Sequence, residues 1–275
     1  MNELSIKSTR KLNNGAEMPA IGFGTWKIPD GETAAQCVGW ALGAGYRLVD
    51  TAAMYKNEKG VGEGIRRSGL ARNEIFVTTK VWMTDMGESR APKAFEKSLK
   101  NLGLEYVDLY LIHWPLPVLR KSTWRALEKI YASGRCRAIG VANFTIRHLT
   151  ELMENSAVVP AVNQVEFHPF LYQKDLLEFC RTKNIQLNAY SPLTHANRLD
   201  DARIAAIAQK YGKTNAQIML RWSMQHEAIP IPKSVHQERI LENISVFDFE
   251  IGPEDMAAID ALNENHHFIW DSSNL

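Results

Sequence analysis

The chain has 275 residues, 45% hydrophobic and 23% charged, which is enough apolar side chain for a sizeable core and excludes a disordered chain. Its 32 Lys plus Arg against 31 Asp plus Glu leave a formal charge of +1, no field to draw in nucleic acid or an anionic membrane. Three scattered cysteines, Cys37, Cys136 and Cys180, exclude a disulfide framework and a thiolate metal cage.

A reducing, cytoplasmic setting is expected. The first residues lack the apolar core of a secretory signal, and no run of about 18 apolar residues occurs to span a membrane. No obligate protein partner is indicated.

In chain order, the polar segment Ile6 to Met18, centred on Asn13, Asn14 and Gly15, reads as a short hairpin laid across the bottom of a barrel. Strands are then predicted at Ile21 to Gly24, Arg47 to Asp50, Ile75 to Val81, Val107 to His113, Cys136 to Asn143, Ala161 to Phe167, Ile185 to Tyr190 and Ala228 to Lys233. Helical periods fall between them, at Thr33 to Ala44, Gly60 to Ser68, Ala91 to Leu102, Thr123 to Ser133, Ile146 to Glu154, Lys174 to Lys183, Asp201 to Tyr211 and Thr214 to Gln225. Eight strands, most followed by a helix, with no linker between them, predict an α/β fold: a single (β/α)8 TIM barrel over residues 1–275 with an N-terminal β-hairpin.

Such barrels carry their chemistry at the C-terminal ends of the strands. Polar residues end the apolar runs there: Asp50, Lys80, His113, Asn143, Gln164, Tyr190 and Lys233. Tyr55, just beyond Asp50, brings a phenol whose ordinary pKa of about 10 makes it a weak acid at neutral pH. A Lys80 ammonium about 4 Å away would favour the phenolate by roughly 4 kcal/mol at an effective dielectric of about 20, so Lys80 is expected to make Tyr55 more acidic, with Asp50 holding Lys80 charged. A neutral His113 would donate to the same carbonyl oxygen. The set lacks a nucleophile paired with a base and lacks metal ligands, and it suits hydride delivery to a carbonyl.

Seven segments carry a resemblance over nearly the whole chain: Gly22 to Trp26, Asp50 to Tyr55, Thr78 to Trp82, Leu111 to Pro115, Asn163 to Glu166, Ala189 to Leu193, and Ile231 to Ser234 followed by Arg239, Glu242 and Asn243. In them the chain resembles the aldo-keto reductases, most of all bacterial members similar to 2,5-diketo-D-gluconate reductase. The resemblance implies reduction of aldehydes or ketones by NADPH, with NADH weaker, and a catalytic set of Asp50, Tyr55, Lys80 and His113 in which Tyr55 is the general acid. It also implies that Tyr190 stacks on the nicotinamide while Asn143 and Gln164 hold its carboxamide. Lys233, Ser234 and Arg239 would take the 2′-phosphate, and Glu242 and Asn243 the adenine. Gly24, Thr25, Trp26, Ser191, Pro192, Leu193, Val235 and His236 complete the expected cofactor contacts. Trp26, Trp82 and Trp114, with Tyr55 and His113, would wall the substrate, a keto-sugar, dicarbonyl or aromatic aldehyde. Relatives of this kind are monomers.

The chain departs from that pattern twice. Ala142 stands where the family has a serine hydroxyl for the carboxamide, and His236 where a small polar residue sits beside the phosphate. The run Gly60 to Gly64 reads as helix packing, since its spacing is not that of a dinucleotide loop. His266 and His267 read as a solvated tail, and Phe268, Ile269 and Trp270 as residues that fold over the mouth. A nucleotide-binding regulatory barrel without turnover is the alternative of a different class, to be recognised by NADPH binding without oxidation.

Overall fold

The computed structural model describes residues 4–275. Strands β1 (Thr9–Lys11) and β2 (Glu17–Pro19) pair antiparallel. The hairpin turns through Gly15, whose φ of +87° is open to glycine and strained for other residues.

Eight parallel strands follow: β3 (Phe23–Gly24), β4 (Leu48–Asp50), β5 (Phe76–Val81), β6 (Val107–Ile112), β7 (Cys136–Ala142), β8 (Val162–Glu166), β9 (Gln186–Tyr190) and β10 (Ile229–Pro230), each bonded to the next. Two backbone bonds join the first to the last: Gly22 N–H donates to Pro230 O and Gly24 N–H to Pro232 O, both at 2.9 Å, so the sheet closes on itself. Around it lie α1 (Glu32–Gly43), α2 (Glu58–Arg67), α3 (Ala91–Leu102), α4 (Arg120–Ala132), α5 (Ile146–Met153), α6 (Lys174–Thr182), α7 (Ala202–Tyr211), α8 (Asn215–Gln225), α9 (Gln237–Ile244) and α10 (Pro253–Asp260). The predicted strands and helices all occur, with ends displaced by up to a few residues. The sequence reading did not delimit α9 or α10.

Because a strand's side chains alternate, each strand feeds two layers. Leu48, Phe76, Leu109, Leu111, Ala138, Ala142, Val162 and Ile229 fill the barrel, while Val49, Val77, Tyr110, Ile112, Ile139, Val141 and Val165 face the helices. Leu12 and Met18 of the hairpin pack against the inner set. Asn13 and Asn14 side chains tie the turn to Pro160 O and Arg137 O. The hairpin is therefore the floor of the barrel, as expected.

The same two-residue step delivers the chemistry. Continuing inward from Leu48 gives Asp50; from Phe76, Thr78 and Lys80; from Leu109 and Leu111, His113; from Val162, Gln164. Most of the inward polar residues lie toward the C-terminal mouth, while Asn188, deeper in the barrel, meets Met18 of the floor.

The Gly60 to Gly64 run is packing, as read from its spacing. A Cβ on Gly60, Gly62 or Gly64 would lie 2.6 Å from Gly31 O, 2.0 Å from Leu102 O and 2.7 Å from Ala35 O respectively, so α2 touches the backbones of its neighbours through hydrogen alone. Gly62→Ala should cost about 1–3 kcal/mol or more, because the obstacle is a carbonyl rather than a movable side chain. Urea unfolding checks this, and an unchanged midpoint would contradict it.

Candidate active site

Tyr55 ends a single turn, Ala53–Tyr55, between β4 and α2. The turn is fixed from beneath: Asn57 accepts from Thr51 Oγ1 at 3.0 Å and donates to Thr25 O and Ile28 O at 2.8 and 2.9 Å. Tyr55 is thereby swung over the strand ends.

Lys80 is fully buried, and its ammonium has three acceptors: Asp50 Oδ1 at 2.5 Å, Thr51 O at 2.9 Å and the Tyr55 hydroxyl at 3.4 Å. The other Asp50 oxygen accepts from Gln164 Nε2 at 2.7 Å. Since Tyr55 accepts from Lys80, its own O–H is free to donate, and it finds no acceptor among the described residues. The His113 ring stands edge-on to Tyr55 with centroids 5.7 Å apart, and His113 Nδ1 is buried without a partner.

Burial sets the protonation of this group. It pushes the Tyr55 phenol well above its ordinary value, and the negative charge of Asp50, then Tyr190, pushes further the same way. Lys80 does lie beside Tyr55, as expected, but burial and the closer Asp50 carboxylate outweigh its ammonium in the resting site. Burial pulls the Lys80 ammonium below its usual range while Asp50 opposes that. Burial, then the Lys80 charge, holds His113 well below its usual range, so the imidazole is neutral, as expected. The directions of these shifts favour a protonated phenol beside a neutral imidazole and an ion pair, an arrangement with two groups able to donate hydrogen bonds.

Further strand ends are stitched together. Asn143, held in the left-handed region at φ 65°, donates to His113 O at 2.9 Å and accepts from the Tyr190 hydroxyl at 2.7 Å. Gln164 and Asn143 therefore already spend part of their amides within the protein.

A cavity of about 900 Å³ runs from this group along the strand ends. Gly24, Thr25, Trp26, Asp50, Tyr55, His113, Trp114, Asn143, Gln164, Tyr190, Ser191, Pro192, Leu193, Lys233, Ser234, Val235, His236, Arg239, Glu242 and Asn243 all line it. Trp82 does not; its ring stands edge-on to His113 at 5.1 Å and faces a separate hollow of about 430 Å³. Sequence reasoning missed Lys27, Met54, His195, Leu199 and Asp200 in the lining. His195 meets the edge of Trp26 at 5.0 Å, and Lys27 lies over the same ring. Four residues of that lip, Ser191, Thr194, His195 and Ala196, have φ between +48° and +67° without being glycine. Nothing in their composition announces such a strained turn.

Tail residues also reach the mouth. Ile269 lines the cavity and Trp270 packs on Trp114 with centroids 5.0 Å apart, in line with the expectation that this segment folds over the opening. His267 is only partly solvated, which modifies the sequence reading: its Nδ1 lies 3.6 Å from buried Glu166, whose carboxylate raises the imidazole above its ordinary value. The Glu166 contact drives this rise against the opposing effect of burial. Among the described residues no three His, Cys, Asp or Glu gather as a metal site, and no helix is long and apolar enough to cross a membrane.

A profile described as the Aldo/keto reductase family matches residues 20–264. The chain belongs to that family. It is 52% identical to a glyoxal reductase of Bacillus subtilis (strain 168) over 95% of each chain. A solved aldo-keto reductase enzyme from a Medee basin deep-sea metagenome library superposes with a TM-score of 0.92 at 45% identity, over 97% of this chain and 99% of that one. An aldo-keto reductase of Bombyx mori, solved in complex with NADP, gives 0.90 at 38% identity, over 95% and 94%. This aldo-keto reductase is accordingly an oxidoreductase acting on carbonyls.

Proposed function

We propose that the chain reduces aldehydes and ketones with NADPH in the 900 Å³ cavity, Tyr55 acting as general acid. The observation that carries this reading is the Tyr55 hydroxyl, which accepts from Lys80 and keeps its own proton free at one end of that cavity. The residues present suit the cofactor. Near the tetrad the cavity offers amides (Asn143, Gln164) and a half-buried aromatic ring (Tyr190); toward its other end Lys233 and Arg239 have no carboxylate partner within salt-bridge distance among the described residues. When bound, NADPH supplies the hydride.

The chain's residues do the rest. Tyr190 offers a face for a nicotinamide, with Asn143 and Gln164 at its carboxamide. Lys233, Ser234 and Arg239, at the start of α9, would hold a 2′-phosphate with charge and aligned N–H groups. Burial lowers the Lys233 ammonium, with a smaller contribution in the same direction from the Lys27 charge. Two neighbouring cations that repel each other gain from an anion between them. Tyr55 and His113 polarise the carbonyl oxygen, and Tyr55 delivers its proton as negative charge grows there; Lys80 takes up the phenolate left behind. Trp26 and Trp114 form the apolar wall. Ala142 provides no hydroxyl for the carboxamide, an absence worth about 0.5–1.5 kcal/mol of binding. Three buried free thiols support a reducing, cytoplasmic setting, and a monomer of one domain is the simplest assembly.

NADPH oxidation across a panel of dicarbonyls, keto-sugars and aromatic aldehydes tests the function. Carbonyl-dependent oxidation is expected; tight NADPH binding without oxidation would favour a regulatory nucleotide-binding barrel. Lys233→Ala with Arg239→Ala should raise the Kd of NADPH by about 10²-fold, two charge-assisted contacts being worth about 1.5–3 kcal/mol each before coupling, and leave NADH within a few-fold. Fluorescence titration decides, and equal losses would refute the phosphate assignment.

A further inference from the structure

Glu166 ends β8 and is only 2% exposed, yet it takes no part in the tetrad and does not line the cavity. A carboxylate taken out of water must be met by donors or charges. Four meet it. Its Oε1 accepts from Phe268 N–H at 2.9 Å and lies 3.2 Å from His168 Nε2; its Oε2 accepts from Ile269 N–H at 3.1 Å and lies 3.6 Å from His267 Nδ1. Three of the four come from one short stretch of the C-terminal tail.

That stretch leads directly into the substrate end of the mouth. Ile269 lines the cavity, and Trp270, though 54% exposed, lies on Trp114. Two residues on, Ser272 Oγ donates to Asn143 O at 2.6 Å. The tail is therefore strapped by Glu166 before Trp270 and by Ser272 after it, with further ties from Glu264 and His266 N–H to Phe170 O at 3.1 Å and from Arg147 to Ser273 O at 3.2 Å. Without the straps, two hydrophobic residues near a chain end would have little to hold them over an open cavity.

We propose that Glu166 is a positioning residue for carbonyl reduction: its carboxylate fixes the tail backbone so that Ile269 and Trp270 form a wall facing Trp114, against which bulky apolar carbonyls are bound. This rests on the carbonyl-reductase reading above. Glu166 acts through the tail, and small substrates that do not reach the wall are indifferent to it.

Glu166→Gln keeps the shape and leaves one tail N–H without an acceptor. Hydrogen exchange at the Phe268 and Ile269 amides should quicken by about tenfold or more in the full chain. With NADPH saturating, KM for a bulky aromatic aldehyde should rise about tenfold, the scale of losing a methylene-sized contact or two, while kcat and the constants for the smallest aldehyde stay within about twofold. Ile269→Ala should raise the same KM, and adding Glu166→Gln to it should add less than Glu166→Gln does alone, since only Trp270 is then left of the wall. Ser272→Ala, which cuts the second strap, should shift the same KM in the same direction and stands in if Glu166→Gln does not fold. Unchanged exchange, equal KM changes for small and large substrates, or additive effects would each overturn the proposal. If the wild-type protein turns over no carbonyl, the functional reading fails on its own and takes the substrate role with it, while the exchange data still decide whether Glu166 holds the tail.

Discussion

Tyr55→Phe should bind NADPH within about twofold of the wild-type affinity and lose 10²–10⁴-fold in kcat, the usual worth of a positioned general acid. The phenyl ring keeps its edge contact with His113, so the loss is confined to one hydroxyl. Lys80 then has two acceptors, Asp50 and Thr51 O, and stays satisfied, so folding should be little affected. Stopped-flow NADPH binding and steady-state turnover measured on the same preparation separate the two effects. Turnover within tenfold of wild type would remove Tyr55 from its role.

Lys80→Met has a different signature, because it harms folding and chemistry together. The substitution leaves Asp50 as a buried carboxylate with only Gln164 donating to it, and breaking a buried pair from one side costs about 3–5 kcal/mol. Chemistry suffers because the negative charge reaching Tyr55 in the transition state loses its only adjacent ammonium. Removing one such donor costs about 10²–10³ in kcat. Denaturation curves and kcat should therefore both fall. A variant that unfolds earlier but turns over normally would mean that Lys80 is structural only.

The barrel was legible because its strands are buried on both faces and their two-residue step never slips: the parity that makes Leu109 and Leu111 core also brings in His113. The positions of Asp50, Lys80 and His113 were legible for the same reason, each abruptly ending an apolar run, whereas Tyr55 lies on the turn beyond Asp50. What escaped was set by distance in sequence. Whether Lys80 favours Asp50 or Tyr55 depends on a 2.5 Å contact against a 3.4 Å one, and no spacing encodes that. His267 read as solvated because its partner, Glu166, lies about 100 positions away. Trp82 follows its strand motif as Trp114 does, yet the loop beyond turns it to the far side of His113. The lip around His195 uses left-handed residues without glycine, so the ordinary mark of such a turn is missing.

In the proposed mechanism a protonated Tyr55 meets the carbonyl, and Lys80 stabilises the phenolate left once its proton has gone. An acid needed in its protonated form loses rate as pH rises through its pKa, and a neutral imidazole loses its role as pH falls through its own. Burial has moved the first well up and the second well down from ordinary values of about 10 and 6.5. The pH dependence of kcat for aldehyde reduction, at saturating NADPH, is the direct test. A level rate through neutrality into mildly alkaline solution is expected; a decline with rising pH centred near neutrality would contradict it.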